Sequence, residues 1–123
     1  MIWLGVVLAG GVGAVLRFQV DRAVARRAAR SRLFIGLPFG TLAVNLSGAA
    51  LLGLLGSLAL SRYTALLAGT AFVGSYTTFS TWMLETQRLS EERQVLNAVA
   101  NIVVSIVLGI GAALFGQWIA GRL

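Results

Sequence analysis

The chain has 123 residues, of which 58% are hydrophobic and only 11% charged, and its mean hydropathy of +0.87 is that of an integral membrane protein, far outside the range of a soluble domain. It contains no cysteine and no histidine, which excludes thiol nucleophiles, disulfides, imidazole general bases and the commonest zinc ligands. The net charge of +6 comes from arginine alone, and arginines flanking apolar spans orient a chain at the cytoplasmic surface against anionic lipid rather than bind nucleic acid.

Residues 2–16, IWLGVVLAGGVGAVL, open a first span expected over about 2–20. With neither a charged leader nor an A-x-A cleavage pattern, it reads as retained rather than as a signal peptide. Gly5, Ala9 and Gly13 recur every four residues, as do Gly10 and Ala14, giving a small-residue face on which membrane helices approach closely. Arg17 falls where the helix reaches the interface, so it either snorkels to water or lines an aqueous mouth that attracts anions.

From Asp21 to Arg32 five arginines oppose one aspartate, in a segment expected to be a short loop carrying a turn or two of helix. The second span, about 34–60, holds the only proline, Pro38, near its start, where proline costs a helix least. Asn45 lies one or two turns inside, and an amide at that depth needs a hydrogen-bond partner, either a neighbouring helix or a ligand. Ala49, Gly53 and Ser57 supply another small face.

Ser61 and Arg62 form a minimal loop, which makes the second and third spans antiparallel neighbours. The third, about 63–86, is long and apolar enough to cross a bilayer, yet Gly74, Ser75, Thr77, Thr78, Ser80 and Thr81 crowd its middle. Two arrangements answer to this pattern. One is a continuous helix whose hydroxyls bond back to their own carbonyls. The other is a break at mid-membrane, tolerated only where protein or a cavity satisfies the freed backbone, and hence a mark of an ion or substrate site. Phe79 and Trp82, three residues apart, share a face that suits packing as well as a lining.

A polar connection over 85–93 leads to a fourth span, about 95–120. There Asn97, Asn101, Ser105, Gly109 and Ala113 follow at four-residue steps and make a polar and small stripe that points to a lining. Four spans put both termini on one side of the membrane. Arg22, Arg26, Arg27, Arg30, Arg32, Arg88 and Arg93 fall in the first and third loops, against Arg62 and Arg122 on the other side. The positive-inside rule therefore places those loops in the cytoplasm and both termini outside.

So few helices enclose little, so a pathway built from them belongs at a subunit interface and a dimer is expected. The neutral donors Asn45, Thr77, Thr78, Ser80, Thr81 and Ser105 suit a small anion that must shed water and still leave quickly. Phe79 and Trp82 are candidate lining rings, and the electropositive edge of Phe79 can meet an anion through its C–H groups. A proton-coupled exporter of small cations needs a buried carboxylate, normally in the first span, and that span has none; Glu85 comes only near the end of the third. A non-conducting membrane assembly subunit is the other alternative.

GGVGAVLRF at 10–18, PFGTLAVNLSG at 38–48 and GSYTTFSTW at 74–82 resemble the signature segments of the small fluoride channels called Fluc or CrcB, and the likeness runs over essentially the whole chain. The resemblance implies an all-α membrane protein of four transmembrane helices, the third broken at mid-membrane. It further implies an antiparallel dimer with two fluoride pores and a structural sodium ion, not transported, held by main-chain carbonyls of Gly74 and Thr77 from each subunit. The family's pore aromatics fall at Phe79 and Trp82, its pore-facing asparagine at Asn45, its vestibule arginine at Arg17 and its fourth-span serine at Ser105. Trp82 stands where a second phenylalanine is usual, and Gly109 where a hydroxyl is expected. The implied function is passive fluoride export from a prokaryotic cell across its plasma membrane. Acid carries HF inward, it dissociates, and the trapped anion leaves without cofactor or energy source. Because the loop arginines divide so unevenly, one orientation should dominate. The dimer is then either a homodimer or a pair with an oppositely oriented paralogue.

Overall fold

A computed structural model describes residues 2–30 and 37–123, and among them every regular element is helical. In chain order these are α1 (Ile2–Arg30), α2 (Phe39–Ser57), α3 (Arg62–Ala65), a π-helical segment (Leu66–Val73), α4 (Gly74–Tyr76), α5 (Ser80–Glu91) and α6 (Val95–Ala120). Three of them, α1, α2 and α6, are each long and apolar enough to cross a membrane. The stretch expected as the third span is divided. Helical dihedrals carry the chain from α3 through the π-helical segment into α4, the rod ends at Thr77, and α5 begins at Ser80.

The basic segment expected as a loop is instead the last third of α1, which continues to Arg30. Its sequence explains this, because VARRAAR is rich in alanine and arginine, two of the strongest helix formers. Arg27 and Arg30 also lie in the final turn, where cations offset the negative end of the helix dipole. At 1.5 Å per residue α1 is about 43 Å long, close to the full thickness of a bilayer with its headgroups. Arg32 and the expected start of the second span at residues 34–36 lie outside the described residues. In the described part, α2 starts directly after Pro38, whose carbonyl accepts from the Leu42 amide at 3.1 Å.

Between helices in hydrocarbon there is no water to expel, so association rests on close backbone approach. The molecule uses this device at several glycines. A Cβ on Gly53 would lie 2.1 Å from the Ala113 carbonyl oxygen, and one on Gly116 would lie 1.9 Å from that of Ala50. These contacts make α6 the main partner of α2, whereas the π-helical segment packs chiefly on α1, with Gly13 against the Phe72 carbonyl. Thus α2 does meet the divided stretch expected as the third span, but less extensively than it meets α6. Arg93, at φ 62°, closes the turn after α5, where the Gln94 amide reaches back to the Leu89 carbonyl at 2.8 Å. This Schellman-type ending folds α6 back along α5. Large apolar side chains such as Val7, Val12, Ile110 and Leu114 face outward, which suits a lipid or subunit environment.

Candidate functional site at the helix break

Thr77 leaves the helix with φ −86° and ψ 164°. Its amide and its hydroxyl both donate to the Val73 carbonyl, at 3.0 and 3.1 Å. The hydroxyl therefore bonds back along its own helix, and the helix breaks all the same. Beyond it, the Thr78 amide donates to Asn45 Oδ1 at 2.9 Å, and Asn45 Nδ2 donates to the Thr78 carbonyl at 2.8 Å. The Thr81 amide in turn donates to Thr78 Oγ1 at 3.2 Å. In a continuous helix the amides of Thr78 and Thr81 would serve the carbonyls of Gly74 and Thr77. Here both amides are turned to side-chain acceptors.

Asn45 thus behaves as a substitute peptide unit, carrying one donor and one acceptor at the spacing Thr78 requires. Leaving either backbone group buried and unpaired would cost about 1–3 kcal/mol. The same stretch of α2 supports the break at two further points. Ser47 donates to the Ala43 carbonyl at 2.7 Å and lies 2.9 Å from the Tyr76 hydroxyl, which anchors the end of α4. Three residues from Asn45 on the same helix face, Gly48 leaves room for Thr77, since a Cβ there would fall 2.2 Å from Thr77 Cγ2.

Two cavities meet at this point. One, of about 320 Å³, is bounded by Asn45, Gly48, Thr77, Thr78, Phe79 and Trp82, among others. The other, of about 210 Å³, is bounded by Arg17, Phe18, Asp21, Thr41, Val44, Thr78 and Thr81. Thr78 borders both. The Phe79 ring, 70% exposed, meets Trp82 edge to face with centroids 5.7 Å apart. A third, largely apolar cavity of about 470 Å³ runs between α2 and the π-helical segment and reaches Gly74 and Thr77.

Of the residues singled out from the sequence, Asn45, Thr77, Thr78, Phe79 and Trp82 come together in one cavity, and Arg17 and Thr81 join Thr78 in the next. Ser80 is exposed at the first turn of α5, and Ser105 is half-buried one turn beyond Asn101 on α6; neither borders these two cavities. The stripe on α6 instead serves neighbours. Asn97 donates to Gln94 at 2.9 Å, and the buried Asn101 donates to Thr86 Oγ1 at 2.9 Å. Thr41, which the sequence pattern alone does not single out, stands one turn before Asn45 on the same face of α2. It is buried and its hydroxyl donates to Glu85, tying α2 to α5. Asp21, in the basic stretch expected as a loop, is brought into the cavity of Arg17 by the continuation of α1.

Residues 4–117 match the family described as CrcB-like protein, Camphor Resistance (CrcB). The chain is 68% identical over 119 residues to fluoride-specific ion channel FluC 2 of Mycobacterium tuberculosis, covering 97% of this chain and 90% of that protein. It is 71% identical to FluC 2 of Mycolicibacterium paratuberculosis, covering 97% and 93%. It is also similar to FluC 1 of Streptomyces avermitilis, at 41% identity over 127 residues, covering 100% of this chain and 98% of that protein.

Proposed function

The chain belongs to the CrcB-like family, and from that membership we propose that it is a multi-pass fluoride-specific ion channel that lets the anion leave the cell passively. It is a channel and not an enzyme. The observation that carries the assignment of the pathway is the position of Thr78 between the cavity holding Arg17 and the cavity lined by Asn45, Phe79 and Trp82. Fluoride is small and strongly hydrated, so a pathway must replace its water without holding it. Arg17 supplies attraction at a mouth, and Asp21 in the same cavity tempers that attraction. Deeper in, the ligands become neutral. The hydroxyls of Thr78 and Thr81 and the second N–H of Asn45 donate to the anion, whereas Ser80 and Ser105 lie outside these two cavities. The ring edges of Phe79 and Trp82 present weakly positive C–H groups. Neutral donors bind weakly enough for release, which conduction requires.

A structural sodium ion fits the carbonyls of Gly74 and Thr77, whose helical donors are turned to Asn45 and Thr78. Among the described residues no three acidic, cysteine or histidine side chains converge, so main-chain oxygen is the hard ligand available at this place. Sodium, when bound there, would supply a fixed positive charge held by these main-chain oxygens. The reading includes an antiparallel dimer in the plasma membrane, either of this chain with itself or with an oppositely oriented paralogue. The groove reaching Gly74 and Thr77 is the face suited to the second subunit. Fluoride efflux from liposomes holding the purified protein tests the function, with chloride efflux as the control. Rapid fluoride efflux without chloride efflux is expected, and a protein that releases neither ion, or both alike, would overturn the reading.

A further inference from the structure

The geometry points to Thr86 and Asn101 as positioning residues that hold the Trp82 ring in the pathway wall, a role that rests on the channel reading above. Three hydrogen bonds close a circuit between α5 and α6. Trp82 Nε1 donates to the main-chain carbonyl of Asn101 at 3.3 Å. Asn101 Nδ2 donates to Thr86 Oγ1 at 2.9 Å, and Thr86 Oγ1 donates to the main-chain carbonyl of Trp82 at 2.9 Å. The circuit returns to the residue from which it started, so the indole and its own backbone are both tied to Asn101. Asn101 is 4% exposed. Its amide has no water to fall back on, which makes the interhelical bond costly to lose.

An indole has one donor and no acceptor. Since that donor is given to α6, Trp82 can offer an anion only the carbon edge of its ring. Its role in the wall is then that of an aromatic ring, as for its neighbour Phe79, with which it packs at 81°. The difference lies in how the ring is held. A phenylalanine at this position would be oriented by packing alone, whereas the indole is oriented by a hydrogen bond across to α6. The placement of α6 on α5 thereby sets the angle of Trp82, and with it the width of the cavity that Trp82 shares with Asn45 and Thr78.

The test uses a full-length protein in which Trp82 is the only tryptophan, through Trp3→Phe and Trp118→Phe, reconstituted in liposomes. Thr86→Val is nearly isosteric and removes the hydroxyl at the centre of the circuit. It should lower the fluorescence anisotropy of Trp82 and reduce fluoride efflux about tenfold, while Thr86→Ser, which keeps the hydroxyl, should restore both. On a Trp82→Phe background the same Thr86→Val change should cost less than about twofold, because coupled residues lose their interaction only once. Asn101→Leu should repeat this pattern. Equal losses of efflux in both backgrounds would overturn the proposal, as would unchanged Trp82 anisotropy in Thr86→Val. Absence of fluoride efflux from the parent protein would overturn the channel reading and the pathway role, while a lowered anisotropy would still support the held ring.

Discussion

Asn45 is the side chain on which the break depends, because its amide pairs with both backbone groups of Thr78. Asn45→Asp keeps an acceptor for the Thr78 amide, loses the donor to the Thr78 carbonyl and adds a negative charge beside the proposed route. Fluoride efflux should fall at least about a hundredfold, and apparent thermal stability should drop by an amount consistent with one unpaired buried group, about 1–3 kcal/mol. Efflux equal to that of the parent would remove Asn45 from the pathway. Phe79 makes a contrasting case. Its ring is 70% exposed within the chain, so Phe79→Ile should leave the sizing-chromatography profile unchanged while efflux is lost. An aliphatic side chain fills similar space but has no electropositive edge. The type of each of these residues was legible from the sequence; the double pairing of Asn45 was not, since its partner stands 33 positions away.

The divided stretch from α3 to α5 is an element whose interruption is tolerated through α2. Gly48 matters there because Thr77 Cγ2 occupies the place a Cβ would take, at 2.2 Å. Gly48→Ala should therefore reduce efflux several-fold by pushing Thr77 out of its extended conformation. Thr77→Ser, mild by itself, should restore much of that loss, since serine lacks the clashing methyl; a double variant no better than Gly48→Ala would show that this contact does not set the break. Gly74 behaves differently. It has helical dihedrals and nothing within 4 Å of a built Cβ, so its own chain would accept a larger residue. Gly74→Val should nevertheless abolish efflux and weaken the dimer on cross-linking, because the proposed second subunit and ion lie against that surface. Full activity in Gly74→Val would argue that nothing docks there.

At the scale of the whole molecule, orientation follows from where the arginines stand. Arg22, Arg26 and Arg30 recur at four-residue spacing on the final turns of α1, which the length of that helix brings to headgroup depth. A helical extension holds its charges at the surface as firmly as a loop does, so the bias toward one orientation persists. Reporter fusions at Leu123, with the chain expressed alone, should report one side of the membrane, the exterior. Equal signals from both sides would instead favour insertion in both orientations and a homodimer.

Membrane class, the three long apolar helices and a polar fault in the divided stretch were determined by residue order alone, because hydropathy, helix propensity and helix-breaking hydroxyls are properties of short stretches. The family likewise is written in local segments, those around Arg17, Asn45 and Thr78. Which atoms repair the fault was decided only when the helices packed. Nothing near Thr78 announces that its backbone will pair with an asparagine on α2. Neither do Trp82 and Asn101, 19 positions apart, announce the bond they share. The continuation of α1 to Arg30, by contrast, follows from the local helix propensity of its alanine- and arginine-rich end. The physical reason is common to the two hydrogen-bonded pairs: bonds between distant residues depend on which helix faces meet, and those faces are set by glycine contacts such as Gly53 with Ala113 and Gly116 with Ala50, spread along the whole chain.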